Sequence, residues 1–232
     1  MKTILLLAEA DELPGVTKLI EGARPDAQVI GVSTLRELDA ATADPTGLRL
    51  VAFCTDVIVP AAVLARLDGP AYNIHPGPPT VRGIYPSVFA LYQGFDRYGA
   101  TLHEIAEEVD FGPITAVKYA DIRGGTDRIR LELMARELVT RLISSHAAAL
   151  VDQDSPLPHI AEAWSGPAWS KRDFDDLCRL PDNITEDEYQ RRYRAVGEGP
   201  DHALYFEKFG RRFSLTPPAF TGPIVKGGRQ VG

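Results

Sequence analysis

The sequence is poor in cysteine, and the two cysteines that it has are far apart. Cys54 and Cys178 form neither a disulfide framework nor the spacing of a metal site. Because stable disulfides belong to oxidising compartments, we expect a protein of the reducing cytoplasm. The missing ligand spacing also leads us to expect no bound metal.

Positive charge and long apolar runs are scarce too. The chain carries 25 Lys and Arg against 32 Asp and Glu, a formal net charge of -7. Nucleic-acid binding requires clustered Lys and Arg, so we expect no nucleic-acid partner, although a small anionic substrate needs only a few local cations. The first apolar run, in MKTILLLA, is shorter than a signal-peptide core or a membrane span, and we expect no membrane partner.

The Gly-rich loops that cradle phosphates are missing after the first predicted strand. The segment LAEADELPG contains neither G-x-G-x-x-G nor G-x-x-x-x-G-K-[ST]. This absence disfavours a plain dinucleotide-binding module and a triphosphate site.

Apolar runs alternate with segments of helical periodicity through residues 1–151. This alternation predicts an α/β fold with a doubly wound, mostly parallel, Rossmann-like sheet, which we assign to a domain of residues 1–151. The predicted strands are Lys2–Ala8, Ala27–Ser33, Leu48–Cys54, Ala71–Ile74, Gly99–Ile105 and Pro113–Tyr119. The predicted helices cover residues 14–22, 35–43, 57–67, 87–94 and 126–151, with Ser87 as a helix cap.

Residues 152–232 predict a small second domain. Its first part, residues 152–169, contains three prolines and both tryptophans, and is typical of an extended connector. A charged helix, TEDEYQRRYRAV, follows a cap at Asn183 or Thr185, and residues 203–215 predict a β-hairpin that turns at Phe209 and Gly210. The Gly- and Pro-rich last residues are expected to fray.

The stretch YNIHPGPPTVRGIYP, residues 72–86, carries the first candidates for chemistry. Alternation along a strand places Asn73 and His75 on one face, where the strand ends in a Pro- and Gly-rich loop. Ligands of doubly wound sheets bind beyond the carboxyl ends of the strands, where these side chains would lie. An amide N–H and a protonated imidazole can both donate to an oxygen that becomes negative as a carbonyl turns tetrahedral.

Asp110, in the acidic stretch EIAEEVDFG, is the third candidate. A carboxylate near His75 would raise the proton affinity of the imidazole and could accept a proton from an attacking amine. No Ser or Cys adjoins His75, so direct attack by a substrate amine is more natural than a covalent enzyme intermediate. Taken alone, the three residues are also common structural residues, because Asn and Asp favour turns and histidine is frequent in loops.

The two stretches YNIHPGPPTVRGIYP and GATLHEIAEEVDFGPI together resemble the formyltransferase family that uses 10-formyltetrahydrofolate. That family contains glycinamide ribonucleotide formyltransferase, methionyl-tRNA formyltransferase and the sugar N-formyltransferases. Its Asn-x-His-Pro motif and its later Asp-x-Gly correspond here to Asn73, His75, Pro76, Asp110 and Gly112. The resemblance covers about residues 48–151, and the two motifs together are a specific signal, whereas either alone is weak.

The resemblance implies roles for these residues. Asn73 and His75 would hold the formyl oxygen, and Asp110 would assist proton transfer and keep His75 charged. The pterin of the co-substrate, 10-formyltetrahydrofolate, would lie against two short backbone segments. Their members are Val57, Ile58, Val59, Glu107, Val109 and Asp110.

Departures from the family pattern indicate the kind of acceptor. The Gly- and Ser-rich phosphate loop of the glycinamide ribonucleotide enzymes is absent, and Gly77 and Pro78 stand where the transfer-RNA enzymes often have Ser-Leu. The residues after Asp152 contain no recognisable second barrel domain. NITEDEYQRRYRA and ALYFEKFGRRFSL instead resemble the helix-and-hairpin tail of sugar N-formyltransferases, which is a looser match than the core motifs.

We therefore expect an N-formyltransferase that acts on the amine of a small acceptor, with a nucleotide-linked amino sugar as the favoured substrate. Candidate acceptor contacts are Arg82, Tyr85 and His103, followed by Trp164, Trp169, Tyr193 and Tyr205, whose ordinary explanation is packing. Arg191, Arg192 and Arg194 suit a solvated helix face better than a diphosphate site.

Other functions stay open at this point. They are a 10-formyltetrahydrofolate hydrolase, a formyltransferase acting on an amino acid or a siderophore precursor, and a non-catalytic folate- or nucleotide-binding protein. The predicted hairpin has an exposed edge that could join two copies in a homodimer.

Overall fold

A six-stranded sheet forms the centre of the protein, whose computed structural model describes residues 2–199 and 203–215. The strands are β1 (Lys2–Ala8), β2 (Ala27–Val32), β3 (Leu48–Phe53), β4 (Tyr72–His75), β5 (Arg82–Gly83), β6 (Arg97–Glu104), β7 (Ile114–Asp121), β8 (Ala168–Trp169), β9 (Tyr205–Lys208) and β10 (Arg211–Ser214). The central order is β2-β1-β3-β4-β6-β7; the first four strands are parallel, and the last two pairings are antiparallel. The predicted α/β fold with a mostly parallel sheet is confirmed.

The helices of the described residues follow the predicted alternation with three differences. They are α1 (Leu13–Ala23), α2 (Leu35–Ala41), α3 (Ala61–Leu64), α4 (Pro86–Gln93), α5 (Arg128–Val151), α6 (Lys171–Cys178) and α7 (Glu186–Val196). The short α3 leaves residues 57–59 outside the helix that was predicted there. The helix α6 was not predicted, although Ser170 and Asp173 form a capping box at its start.

The predicted cap at Ser87 is wrong. The helix α4 begins at Pro86, and its N-cap is Tyr85, whose left-handed backbone has φ 49°. A proline at the first helical position has no amide hydrogen to satisfy, so the helix can start there without a side-chain cap. The consequence is that Ser87 lies inside the helix and is buried.

Alternate residues of β1 enter two separate apolar layers. Ile4 and Leu6 pack in the layer beneath α1 and α5, whereas Leu5 and Leu7 pack in the layer beneath α2 and α3. All four side chains are 0% exposed, and burying each contributes about 1.5–3 kcal/mol. Because both faces of the sheet are covered, a ligand can approach only at its strand ends.

The long helix α5 packs across the back of the sheet. Its buried stripe includes Leu131, Leu138 and Leu142, which recur at helical spacing. Asp127 caps its start by accepting from the Arg130 amide over 2.9 Å. At its other end, the buried guanidinium of Arg49 donates to the carbonyls of Ala149, Leu150 and Asp152, which have no partners within the helix.

The C-terminal segment shares the core of the sheet. Leu157, Phe174, Val196 and Leu204 belong to the same apolar cluster as Ile4. The domain boundary at residue 151 stays a prediction. The charged helix is confirmed as α7 with Thr185 as its cap, and the hairpin turns at Phe209 and Gly210, both with positive φ as a two-residue turn requires.

Two further expectations concern the last residues of the chain and the membrane. The fraying predicted for the last residues falls on residues 216–232, outside the described residues. Across residues 2–199 and 203–215, no helix combines the length and the apolar character that a membrane span needs.

Candidate active site

A cavity of about 570 Å³ opens at the carboxyl ends of β3 and β4. Asn73, His75 and Asp110 all line it, so the fold brings the three candidates together. The last residues of β4 supply the first two, and the turn between β6 and β7 supplies the carboxylate. Its volume is within the usual range of small-molecule sites, about 300–1,000 Å³.

Both ring nitrogens of His75 face hydrogen-bond acceptors. Nε2 lies 2.8 Å from the Val81 carbonyl oxygen, and Nδ1 lies 3.3 Å from Asp110 Oδ2. Because a carbonyl and a carboxylate only accept, these contacts suit a ring that gains a second proton. Burial nevertheless lowers the pKa of His75, against the opposing effects of Asp110 and the Val81 carbonyl. The expectation that Asp110 keeps the ring charged stays a prediction, and burial of the ring opposes it.

The carboxylate of Asp110 is ionised despite its burial. Its Oδ2 accepts from the Gly83 amide over 2.8 Å, and its Oδ1 lies 3.4 Å from His103 Nε2. Burial alone would raise the pKa of Asp110, but the facing imidazole of His75 and the hydrogen bond from the Gly83 amide lower it to about 2. The pair of Asp110 and His75 is therefore arranged to receive one proton.

His103 orients the amide of Asn73. Its Nδ1 lies 2.7 Å from the Glu104 carbonyl oxygen, so it carries the hydrogen, and Nε2 accepts from Asn73 Nδ2 over 3.1 Å. The second hydrogen of Asn73 Nδ2 points to Asp110 Oδ1 at 3.5 Å, which is long for a hydrogen bond. That hydrogen is the one most easily redirected to a ligand. The predicted contact of His103 with an acceptor stays a prediction.

Arg82 lies behind the loop that carries Asp110. Its Nε donates to the Asp110 carbonyl over 2.8 Å, and Nη2 binds Glu108 Oε1 at 2.6 Å and the Val109 carbonyl at 3.1 Å. Arg82 is 8% exposed and is not among the residues that line the cavity. The structure thus places it to hold the loop, whereas the sequence suggested a contact with the acceptor.

Three non-glycine residues around the cavity have left-handed backbones. They are Cys54 with φ 48°, Tyr85 with φ 49° and Asp110 with φ 47°, and all three line the cavity. Such conformations cost about 1–3 kcal/mol each and concentrate at functional sites, where the surrounding structure enforces them. The Tyr85 ring packs 4.2 Å from that of Phe174, between centroids.

Gly77 and Gly112 both stand at close approaches of the chain. A Cβ on Gly77 would lie 2.4 Å from His75 Nε2, and a Cβ on Gly112 would lie 1.9 Å from the Glu104 carbonyl oxygen. Both distances are below any van der Waals contact, so the loops that carry His75 and Asp110 could not keep their paths with a larger residue.

The segments expected to contact the pterin line one side of the cavity. Val57, Ile58 and Val59 come from the extended segment before α3, and Glu107 and Val109 come from the Asp110 loop. Ile58 is 60% exposed and Val109 is 40% exposed, so both offer apolar surface to a ligand. Their contact with a folate stays a prediction.

The opposite wall was missed by the sequence reasoning. It is formed by α5 together with Glu12, the residue before α1; the α5 residues in the lining include Ile129, Glu132, Leu133 and Arg136. Arg136 forms a 2.5 Å ion pair with Glu12. No local motif marks these residues, because they meet only when the two helices pack together.

The remaining sequence candidates lie in different environments. Trp164 contacts His75 and His103, Trp169 stacks on Phe89, Tyr193 stacks on Tyr189, and Tyr205 is buried beneath Arg212. The arginines of α7 contact protein groups: Arg191 and Arg192 bind Glu188, and Arg194 donates to the Thr126 carbonyl. Among the described residues, no group of three or more His, Cys, Asp or Glu side chains is placed to hold a metal ion.

Comparison with known proteins agrees with this geometry. Residues 24–145 match the family described as formyl transferase, and this stretch contains Asn73, His75 and Asp110. More than half of the chain is matched, so the chain belongs to the formyl transferase family.

The curated relatives that match part of the chain are named as sugar formyltransferases. The dTDP-4-amino-4,6-dideoxyglucose formyltransferase of Mycobacterium tuberculosis (strain H37Rv) is 32% identical over 118 residues, which are 50% of this chain and 49% of the relative. The chain thus aligns with about half the length of the curated relatives it matches.

Solved structures share the fold. A sugar N-formyltransferase from a Shewanella species superposes with a TM-score of 0.74 at 19% identity, over 94% of this chain and 97% of that one. An N-formyltransferase from Helicobacter canadensis, solved with folinic acid and dTDP-3-aminofucose, gives 0.65 at 16% identity, over 84% and 80%.

Proposed function

We propose that the protein is an N-formyltransferase that moves the formyl group of 10-formyltetrahydrofolate to the amine of a nucleotide-linked amino sugar. The observation that carries the proposal is the meeting of Asn73, His75 and Asp110 at the cavity of a formyl transferase family member. The acceptor class is supported by relatives that are named as formyltransferases of dTDP-linked amino sugars.

The donor has a suitable place on the β3 side of the cavity. A pterin would lie against residues 57–59 and 107–110, which line this part of the cavity, and Ile58 and Val109 offer apolar surface to its faces. When bound there, 10-formyltetrahydrofolate would supply an electrophilic formyl carbon next to Asn73 and His75.

The reaction needs a hydrogen-bond donor to the oxyanion that forms, and a group that accepts one proton and later returns it. As the unprotonated amine attacks the formyl carbon, a C–N bond forms and the carbonyl electrons move to oxygen. Asn73 can turn its weakly held hydrogen toward that oxygen, and one such donor is worth about 3–4 kcal/mol in related acyl transfers.

The proton balance follows from the pair of His75 and Asp110. The amine releases a proton, which the pair receives between Nδ1 and Oδ2, 3.3 Å apart. The resulting imidazolium is stabilised by the ionised carboxylate and adds positive charge beside the oxyanion. When the bond between the formyl carbon and the folate nitrogen breaks, His75 returns the proton to that nitrogen, and the products are an N-formyl amine and tetrahydrofolate.

A direct assay tests the proposal. The full chain is incubated with 10-formyltetrahydrofolate and a panel of amino-sugar nucleotides, amino acids and free amino sugars, and each acceptor is examined by mass for the gain of one formyl group. We expect the gain on a dTDP-linked amino sugar. Equal formate release with and without an amine would instead identify a hydrolase, and no gain on any nucleotide-linked sugar would overturn the acceptor class.

We further propose a cytoplasmic homodimer. The free thiols of Cys54 and Cys178 support a reducing compartment. The hairpin presents three exposed aromatic rings, Phe206, Phe209 and Phe213, of which Phe209 is 97% exposed. Burial of these rings against a second copy would remove an apolar patch from water. Sedimentation of the wild type and of a Phe209→Ser/Phe213→Ser variant tests this, and a wild-type monomer at micromolar concentration would contradict it.

A further inference from the structure

The connector, residues 152–169, is bound to the loop that carries Asp110. The Ile160 amide donates to the Ile114 carbonyl over 2.9 Å. The indole N–H of Trp164 donates to the Gly112 carbonyl over 2.7 Å, which fixes the connector to the Asp-x-Gly turn itself.

The same connector is bound to the loop that follows His75. The Ser165 amide donates to the Pro79 carbonyl over 3.0 Å, and β8 pairs with β5 so closely that a Cβ on Gly83 would lie 2.2 Å from the Trp169 carbonyl oxygen. The Gly83 amide in turn donates to Asp110 Oδ2. The connector therefore holds together two loops that are far apart in sequence and that each supply part of the site.

Trp164 lies where the two loops meet. Its ring is 4.8 Å from that of His103 at an interplanar angle of 87°, and 6.0 Å from that of His75 at 67°. Such edge-to-face contacts depend on the relative orientation of the rings, so they restrict how both imidazoles can turn. The half-buried indole also covers the rings, which are 4% and 2% exposed.

We propose that the connector is a positioning element of the active site and that Trp164 is a positioning residue, which sets the orientation of His75 and His103 and keeps water from them. The inference rests on the proposed formyl transfer for its catalytic consequence. Its structural consequence, the environment of the two imidazoles, is independent of any substrate.

The chain contains a matched control on the same connector. Trp169 is half-buried like Trp164, but it stacks on Phe89 at 4.1 Å, and its buried indole nitrogen has no hydrogen-bond partner among the described residues. A Trp169→Phe substitution therefore changes a similar amount of packing without loss of a hydrogen bond and without contact with a histidine. If Trp164 only fills space, the two tryptophans should respond alike.

The test compares Trp164→Phe, Trp164→Ala and Trp169→Phe by histidine NMR titration and by formyl-transfer kinetics. We expect Trp164→Ala to raise the titration midpoint of His75, because water relieves the burial that lowers it, and to reduce kcat about 100-fold, as small misplacements of reacting groups do. Trp164→Phe should fall between Trp164→Ala and the wild type in both measurements, and Trp169→Phe should leave the titration midpoint of His75 at its wild-type value.

The outcomes separate this inference from the proposed function. Unchanged His75 titration in both Trp164 variants, or equal shifts in all three variants, would overturn the positioning role even if transfer is observed. A shift confined to the Trp164 variants, in a protein whose wild type transfers no formyl group, would support the contact while the proposed function fails. A fall in the unfolding temperature alone, with titration and kcat unchanged, would mark Trp164 as a packing residue and overturn the proposal.

Discussion

The two walls of the cavity are built in different ways. The β3 side consists of the extended segment of residues 57–59 and the turn of residues 107–110, which carries Asp110. The opposite side consists mainly of side chains from α5, among them Ile129 and Leu133, which are 61% and 63% exposed. Backbone suits a ligand shared by a whole family, whereas side chains can change without altering the fold. We therefore expect the proposed folate donor to bind along the two backbone segments and the proposed acceptor to bind along α5.

The largest expected effect is at Asp110, because the proposed mechanism uses it when the amine loses its proton and when the folate nitrogen gains it. Asp110→Asn removes the charge that stabilises the imidazolium of His75. We expect kcat, measured with both substrates saturating, to fall about 10²–10⁴-fold. Steady-state kinetics check this, with Asp44→Asn, an exposed loop carboxylate, as the matched control. A loss below tenfold would mean that the carboxylate takes no part in proton transfer.

The second largest effect is expected from a change that shifts the loop of Asp110 but leaves the three candidate catalytic side chains unaltered. In Gly112→Ala the new methyl would meet the Glu104 carbonyl oxygen at 1.9 Å, so the Asp110 loop must shift. We expect a loss of about 100-fold in kcat, as for other small displacements, and a free energy of unfolding lower by about 1–3 kcal/mol. Gly124→Ala, where nothing lies within 4 Å, is the control. Equal behaviour of the two variants would show that the loop adapts.

The buried carboxylate should also appear in the acid stability. The pKa of Asp110 is lowered to about 2 in the folded protein, so its ionised form adds stability above the unfolded pKa near 4. That contribution, about 2 kcal/mol, is lost as pH falls from about 4 toward 2. Between pH 5 and pH 2 the free energy of unfolding, measured by urea denaturation, should fall by about 2 kcal/mol more in the wild type than in Asp110→Asn. Parallel losses would contradict the assigned ionisation.

The smallest expected effects test whether the two walls of the cavity bind different substrates. Ile58→Ala should raise KM for 10-formyltetrahydrofolate about fivefold and leave the acceptor KM unchanged, and Leu133→Ala should do the reverse, because each removes only exposed apolar contact. Leu35→Ala, exposed on α2 away from the cavity, is the control for both. If either variant changed both KM values equally, the division of the cavity into a donor and an acceptor side would be wrong.

Much of the site could be predicted from local pattern. Asn73 and His75 share a face because side chains alternate along a strand, and the strand ends where doubly wound sheets bind ligands. Asp110 followed from a second motif. The lowered pKa of His75 could not be predicted, because it depends on how completely the surrounding chain buries the ring. The Tyr85 cap was missed although a local signal marks it, because Pro86 stands at the first helical position.

Local sequence pattern was enough to predict most of the order of strands and helices, the mostly parallel sheet, and the two motifs that resemble the formyl transferase family. These are properties of neighbouring residues, set by periodicity and turn chemistry. The fold was needed to show that Arg82 holds the Asp110 loop, that α5 forms a wall of the cavity, and that Trp164 contacts both histidines. Those contacts join residues far apart in the chain, and packing brings them together without leaving a local signal in the sequence.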